Sequence, residues 1–401
     1  MADGKNQINT VDTGLANVPV CTSAISHTTV DGKSNPILLY RGYSIYELVK
    51  GSFEESAYLI LNSELPTQTQ LDTFSAGLRE NRALDAKVIE HMKTYPKHAN
   101  MMDTLLTTLS FARMSDRDYN NDIWQNPKAD PQKLVDLIKN VGIRMGAKIP
   151  TIIAYGHSIK NGRGVIAPYD RLSHAANILY MLDIRPEEEL VKAIDISLIL
   201  YLDHTLNCST FTARVAESAG VDPYGPLLAA SVSLKGVLHG GANEMAAKMF
   251  DEIKTPDRAK QYVLGKLGRK ELVIGFGHRL QHYKGGIESR VKIAEGLARH
   301  LAKEKGMGYL FEIYDILVEV MQKEKGLAQN LDLPTSILYN AIGIHPECNT
   351  PIFQASRHFG WIAHMAEQRL GKCPLYRPTQ EYTGPNLDNM RKYTPINQRG
   401  G

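Results

Sequence analysis

The chain has few of the features that would mark a membrane, secreted or metal-binding protein. No run of eighteen apolar residues occurs, so no helix is expected to span a bilayer. Four cysteines, Cys21, Cys208, Cys348 and Cys373, are scattered without the spacing of a metal set or a redox pair. They read as reduced thiols of a cytoplasmic protein. With no His-Glu-x-x-His pair and no Cys-x-x-Cys set, no metal is expected. The start, Met1-Ala2-Asp3-Gly4-Lys5, is polar and carries an acid, unlike a secretory or transit segment, and the last residues are not a peroxisomal tripeptide. Charge of one sign is scarce too. The net charge of +3 argues against a broad nucleic-acid surface but leaves room for a local basic pocket. No Gly-x4-Gly-Lys-Ser/Thr loop is present, and Gly275-Phe276-Gly277-His278-Arg279-Leu280 lacks the third glycine of a dinucleotide fingerprint.

What is present reads mostly as helix. At 401 residues and 43% apolar content, the chain can bury a sizeable core in one large domain or two smaller ones. After a short ribbon predicted from Thr28-Thr29-Val30, a turn at Asp31-Gly32 and Ile37-Leu38-Leu39-Tyr40, no alternating strand series follows, so a parallel sheet is not expected. Ser44-x-x-Glu47, Ser52-x-x-Glu55 and Thr67-x-x-Gln70 have the form of capping boxes. Asp130-Pro131 starts a helix with the stripe Leu134, Leu137, Ile138, Val141 and Met145. Pro186 with Glu187 to Glu189 starts another, and Thr350-Pro351 a long one ending at Gly371.

Three stretches carry candidate chemistry. In Val237-Leu238-His239-Gly240-Gly241-Ala242-Asn243-Glu244 a histidine stands at or near a helix start. The dipole and free N–H groups there disfavour an imidazolium, so His239 reads as neutral and able to donate one hydrogen bond. Gly240, Gly241 and Ala242 would let a ligand approach the backbone. A second histidine, His278, follows Gly275-Phe276-Gly277, and an acid, Asp332, follows Asn330-Leu331. Two histidines and an acid spread over different elements suit carbon–carbon bond formation beside a thioester. Asp332 fits the base that removes the weakly acidic α-proton, His239 the donor to the developing enolate, and His278 the donor that polarises an acceptor ketone. The plainer reading is a capped turn for each histidine and a solvated surface acid for Asp332.

The order His-Gly-Gly-Ala-Asn, Gly-Phe-Gly-His-Arg and Asn-x-Asp resembles the citrate synthase family. So do Tyr40-Arg41-Gly42-Tyr43-Ser44 near the start, and Gly360-Trp361-Ile362-Ala363-His364 and Tyr382-Thr383-Gly384-Pro385 near the end. The resemblance runs from about Gly14 to Arg399. It implies an all-α, two-domain citrate synthase-like fold: a large helical domain from both chain ends, 1–236 and 337–401, and a small one of 237–336. It implies the same roles for His239, His278 and Asp332, with oxaloacetate as acceptor. His204, Arg357 and Arg377 match substrate-contacting positions, Arg377 reaching the site of a second subunit in a homodimer. Val273, Ile274, Gly275, Phe276 and Gly277 match a loop that wraps the adenine of CoA, and Arg279 and Lys284 are candidate phosphate partners. Acyl-CoA enters as co-substrate, and no bound cofactor is implied.

The chain departs from the family pattern around the substrates. Where the family runs from its histidine to Asp-Pro-Arg, this chain has a loop three residues longer ending in Ile287-Glu288-Ser289-Arg290, which makes Arg290 the best match for the oxaloacetate arginine. Tyr201-Leu202 precede Asp203-His204 where a more polar pair is usual, and Leu333-Pro334 follow Asp332. Both changes read as more apolar surroundings, which would favour a longer acyl chain. Citrate synthase is the default expectation and a 2-methylcitrate or longer alkylcitrate synthase the close alternative. From a different class, a non-catalytic relative acting as a binding or assembly module is conceivable.

Overall fold

The computed structural model describes residues 14–15, 18–31, 35–126, 128–278, 286–371, 374–385 and 387–399. The predicted ribbon forms: β1 (Ser26–Val30) pairs antiparallel with β2 (Pro36–Tyr40), which pairs with the two-residue β3 (Tyr43–Ser44). Gly32 of its turn lies outside the described residues. The helices follow as α1 (Ile45–Leu48), α2 (Phe53–Asn62), α3 (Gln68–Glu80), α4 (Ala86–Lys93), α5 (Met101–Ala112), α6 (Pro131–Lys160), α7 (His174–Met181) and α8 (Glu188–Tyr201), then α9 (Cys208–Ser218), α10 (Tyr224–Leu234), α11 (Gly241–Ile253), α12 (Pro256–Gly268), α13 (Ser289–Glu304), α14 (Tyr309–Lys325), α15 (Asp332–Ile342) and α16 (Asn349–Leu370). None of the described helices is long and apolar enough to cross a membrane.

Local signals account for most of these starts. Ser52 and Glu55 bond reciprocally ahead of α2, and Thr67 and Gln70 do the same ahead of α3, so both are true capping boxes. Ser44 is not. Its hydroxyl accepts from the Tyr46 N–H, and Glu47 turns instead to Lys50 Nζ at 2.7 Å. Asp130 caps α6 as expected, but that helix runs on for 30 residues through Pro150. Pro150 is buried in the middle of a helix that packs extensively against α16, and this packing offsets the hydrogen bond the proline cannot make.

α16 is the central element. Nearly every one of its side chains is buried, from Asn349 to Ala366, so it is covered on all sides rather than along one stripe. α2, α6, α8, α9, α10 and α11 all pack on it. Gly360 marks the closest approach: a Cβ there would stand 2.4 Å from the Leu202 carbonyl at the end of α8. That contact brings Tyr201, Asp203 and His204 against the face of α16 that carries Phe353 and Arg357.

Candidate active site

His239 ends the turn between α10 and α11, with its N–H bonded to the Gly236 carbonyl at 2.9 Å. The two glycines after it serve the turn itself. A Cβ on Gly240 would stand 2.7 Å from the Leu234 carbonyl, and one on Gly241 would stand 2.8 Å from that of Lys235. They admit the end of α10 rather than the ligand expected from the sequence. Ser209 of α9 approaches the imidazole with its hydroxyl 2.8 Å and its N–H 3.4 Å from Nε2. A backbone N–H can only donate, so Nε2 accepts and the ring proton belongs on Nδ1. Burial, reinforced by the Arg357 charge, lowers the pKa of His239 to about 3. The neutral donor expected at this position is therefore present at neutral pH.

His278 and Asp332 arrive together. Gly277 N–H donates to the Ala328 carbonyl at 2.8 Å, Asn330 N–H donates to the Gly275 carbonyl at 2.8 Å, and Phe276 bridges to Gln329. The glycine loop is thus pinned to the segment that leads into α15. Gly275 and Gly277 both have left-handed φ angles, +88° and +82°, which a side chain would strain. Asn330 Oδ1 accepts the Asp332 N–H at 3.1 Å and caps α15 from just outside. Leu333 is fully buried beneath Gly275 and supports the loop from below.

Asp332 is half-buried, as are His239 and His278, so all three keep part of their surface open. Burial dominates the carboxylate's surroundings and raises its pKa to about 6, against the opposing pull of a Tyr201 hydrogen bond and the Arg290 charge. Tyr201 is where the sequence reading needs correction. Its hydroxyl donates to Asp332 Oδ1 at 2.9 Å, so the change at this position adds a polar group beside the acid. Leu202 is fully buried in the core, so it presents no apolar wall.

Around these three stand buried charged groups. The Arg357 guanidinium lies 4.7 Å over the Phe353 ring, and its Nε donates to the Tyr201 carbonyl at 2.7 Å. Burial lowers its pKa to about 10, which leaves it cationic at neutral pH. Phe353 also packs at a 36° tilt against Tyr201, with centroids 4.1 Å apart, and meets the His239 ring edge-on at 6.2 Å. His204 lies edge-on to His278 with centroids 5.1 Å apart, and its Nε2 is 3.5 Å from Glu288 Oε1. Arg290 bonds to Glu288 and, at 3.3 Å, to the Leu200 carbonyl. Burial alone would raise the Glu288 pKa, but the Arg290 charge and His204 hold it well below the usual carboxylate range. Burial and Arg290 keep His204 neutral.

The structure therefore brings His239, His278, Asp332, His204, Arg290 and Arg357 into one cluster. Arg377 stands outside this cluster, exposed on the tail that follows α16, where the neighbouring Tyr376 N–H bonds Ser218 Oγ. Of the proposed CoA loop, Val273 and Gly275 are buried and Ile274, Phe276 and Gly277 half-buried. Arg279 and Lys284 lie outside the described residues. Glu288, Asn243 and Thr335 were missed as site residues. The available signal was the polar side chain of Asn243 inside a small-residue turn, and an acid two positions before the candidate arginine.

His204, His278 and Glu288 have ligand atoms within 4.8 Å of one another, a spacing a divalent ion could use. The Arg290 guanidinium on Glu288 makes the spot unfavourable for a cation and suited to an anion. A second His–His–Glu group, His157, His345 and Glu347, is already neutralised by Lys160, whose Nζ lies 2.5 Å from Glu347 Oε2.

A half-buried acid, a neutral imidazole and two buried arginines are groups suited to an enzyme that abstracts a proton next to a carbonyl and holds an anionic acceptor. Comparison with known proteins narrows this. The family model "Citrate synthase, C-terminal domain" matches residues 14–379. The citrate synthase of Synechocystis sp. is 37% identical over 391 residues, covering 96% of this chain and 93% of its own. The 2-methylcitrate synthase of Mycobacterium tuberculosis is 36% identical over 373 residues, covering 92% and 90%. Among solved structures, the Thermoplasma acidophilum citrate synthase in ternary complex with carboxymethyl coenzyme A and oxaloacetate matches with a TM-score of 0.84 at 30% identity, covering 96% of this chain and 98% of that one. The chain belongs to the citrate synthase family, and its mostly helical fold is the one those structures share.

Proposed function

We propose that this protein condenses an acyl-CoA, acetyl-CoA by default, with oxaloacetate, and then hydrolyses the thioester to citrate or a 2-alkylcitrate and free CoA. The observation that carries this is Asp332, a half-buried carboxylate with its pKa raised to about 6 in a cluster shared with a neutral His239 and two buried arginines. Asp332 takes the α-proton. The Nδ1–H of His239 bonds the thioester oxygen as negative charge develops on it. His278 polarises the oxaloacetate ketone and protonates its oxygen as the new bond forms. Arg290 and Arg357, with His204, hold the carboxylates; an arginine fork suits each. The loop from Val273 to Gly277 carries the CoA adenine on its backbone, with Arg279 and Lys284 as phosphate partners. We place the enzyme in the cytoplasm as a homodimer in which Arg377 completes the site of the other subunit. Exposed Val232, Val237 and Leu238, just before His239, offer apolar surface for that contact.

A second reading, a 2-methylcitrate or longer alkylcitrate synthase, is favoured by the 36% identity to a 2-methylcitrate synthase, nearly equal to the best citrate synthase match quoted above. Thiol release with oxaloacetate and acetyl-, propionyl-, butyryl- and hexanoyl-CoA tests both. Rapid release with acetyl-CoA and a steep fall at propionyl supports the citrate reading, since each methylene changes specificity by roughly 10- to 200-fold. Equal or faster release with propionyl-CoA supports the second. No release with any of the four would reject both and leave a binding or assembly role.

A further inference from the structure

Asp332 is held by more than its own helix. Tyr201, the last residue of α8, donates to Oδ1 at 2.9 Å. Its hydroxyl lies 2.6 Å from Thr335 Oγ1 and receives Asn243 Nδ2 at 2.8 Å. Asn243 Nδ2 also lies 2.7 Å from Thr335 Oγ1, and its carbonyl oxygen accepts from Asn349 Nδ2 at 2.9 Å. Tyr201, Thr335, Asn243 and Asn349 are all buried, so four helices, α8, α11, α15 and α16, meet in one chain of polar groups that ends on the acid. Polar groups are costly to bury unless paired, and each hydrogen bond in this chain restrains the groups it joins; the Asn349 side-chain carbonyl oxygen, at the end far from the acid, is left without a partner. The other parts of Tyr201 are fixed as well: its ring packs at a tilt against Phe353 and its carbonyl takes the Arg357 Nε–H.

We propose that Tyr201 is a positioning residue for proton abstraction, donating to Asp332 Oδ1 so that the carboxylate is held in one orientation and Oδ2 is the oxygen that receives the substrate's proton. This rests on Asp332 being the base. The same hydrogen bond favours the ionised carboxylate, opposing the burial that disfavours it. Tyr201 itself stays protonated, because burial and the neighbouring Asp332 charge push its phenol well above the usual range. It therefore aims the base without exchanging a proton with it.

The test is the pH profile of kcat for purified Tyr201→Phe, which keeps the ring on Phe353 and leaves Asn243 its Thr335 partner. Turnover at neutral pH is expected to fall roughly tenfold or more, with KM for both substrates within about twofold. The acidic limb is expected to move to higher pH, so that the deficit narrows as pH rises. A uniform loss at every pH, with the limb unmoved, would mark Tyr201 as merely structural and overturn the proposal; so would unchanged kcat. Replacing Tyr201 by 3-fluorotyrosine creates no cavity and strengthens the donor, and should move the limb to lower pH. An unmoved limb in this protein overturns the proposal even where the phenylalanine variant does not fold. A wild type without turnover, or without an acidic limb, is the failure of the function assigned above; a wild-type limb that Tyr201 changes do not move is the failure of this inference alone.

Discussion

Two helices begin at the site, and the surroundings act differently on the residue each presents, His239 two positions before α11 and Asp332 as the first residue of α15. At the start of α11 burial and the neighbouring Arg357 charge both act against charge on His239, so the two add and the imidazole is neutral far below physiological pH. At the start of α15 burial and the neighbouring groups oppose each other. The Tyr201 hydrogen bond and the Arg290 charge favour the Asp332 carboxylate and burial disfavours it, and burial wins by enough to leave the acid near pH 6. A hydrogen-bond donor needs only to be locked in one state, whereas a base must stand between two. The polar support differs accordingly. His239 has one serine behind it, while Asp332 has a tyrosine backed by two asparagines and a threonine.

The largest way to break this comparison is Asp332→Asn, which keeps shape and removes basicity. Turnover should fall roughly a hundredfold or more while substrates still bind. Steady-state kinetics with isothermal binding measurements check it; near-normal turnover would end the assignment.

Next comes the charged pair beneath the site. Arg290→Ala should raise KM for oxaloacetate by about 1.5–3 kcal/mol, roughly 10- to 150-fold, and spare acyl-CoA. It should also lower the melting temperature, because Glu288 is left buried without its cation. Adding Glu288→Gln should restore the melting temperature but not the oxaloacetate affinity. Recovery of both would show that Arg290 serves folding alone.

A smaller effect is expected at Gly275, with its φ of +88° and Leu333 2.8 Å from where a Cβ would stand. Gly275→Ala should displace the loop that leads to His278 and cost roughly tenfold in kcat/KM for acyl-CoA, with strain on the order of 1–3 kcal/mol. Unchanged kinetics would show that the loop's pairing to 328–330 does not place the site.

The smallest effect separates the two helix starts by stability. The folded pKa of Asp332 is raised, so its ionisation costs stability as pH rises through that value. Asp332→Asn should therefore melt a few degrees above wild type at about pH 8, with the gain vanishing below about pH 4, where both states of the wild-type acid are protonated. A constant difference at all pH values would place its cause elsewhere.

Much of this was legible from residue order. His239, His278 and Asp332 stand in motifs whose chemistry follows from residue type, and Ser52 and Thr67 cap helices by rules local to a few residues. What was not legible depends on distant parts of the chain. Tyr201 closes a leucine-rich helix and reads as part of more apolar surroundings; only its 131-residue reach to Asp332 shows its hydroxyl beside that acid. Glu288 was hidden by the lengthened loop, since its meaning lies in Arg290 and His204 rather than in its neighbours. The glycines after His239 looked like a cradle for a ligand because the end of α10 that fills the space is distinguishable only once folded.

The most direct test of the central claim is the pH dependence of wild-type kcat under saturating oxaloacetate and acyl-CoA. The account predicts an acidic limb with a midpoint near the Asp332 value of about 6, absent from the residual activity of Asp332→Asn. Full turnover sustained down to about pH 4.5, or the same limb surviving in Asp332→Asn, would contradict it.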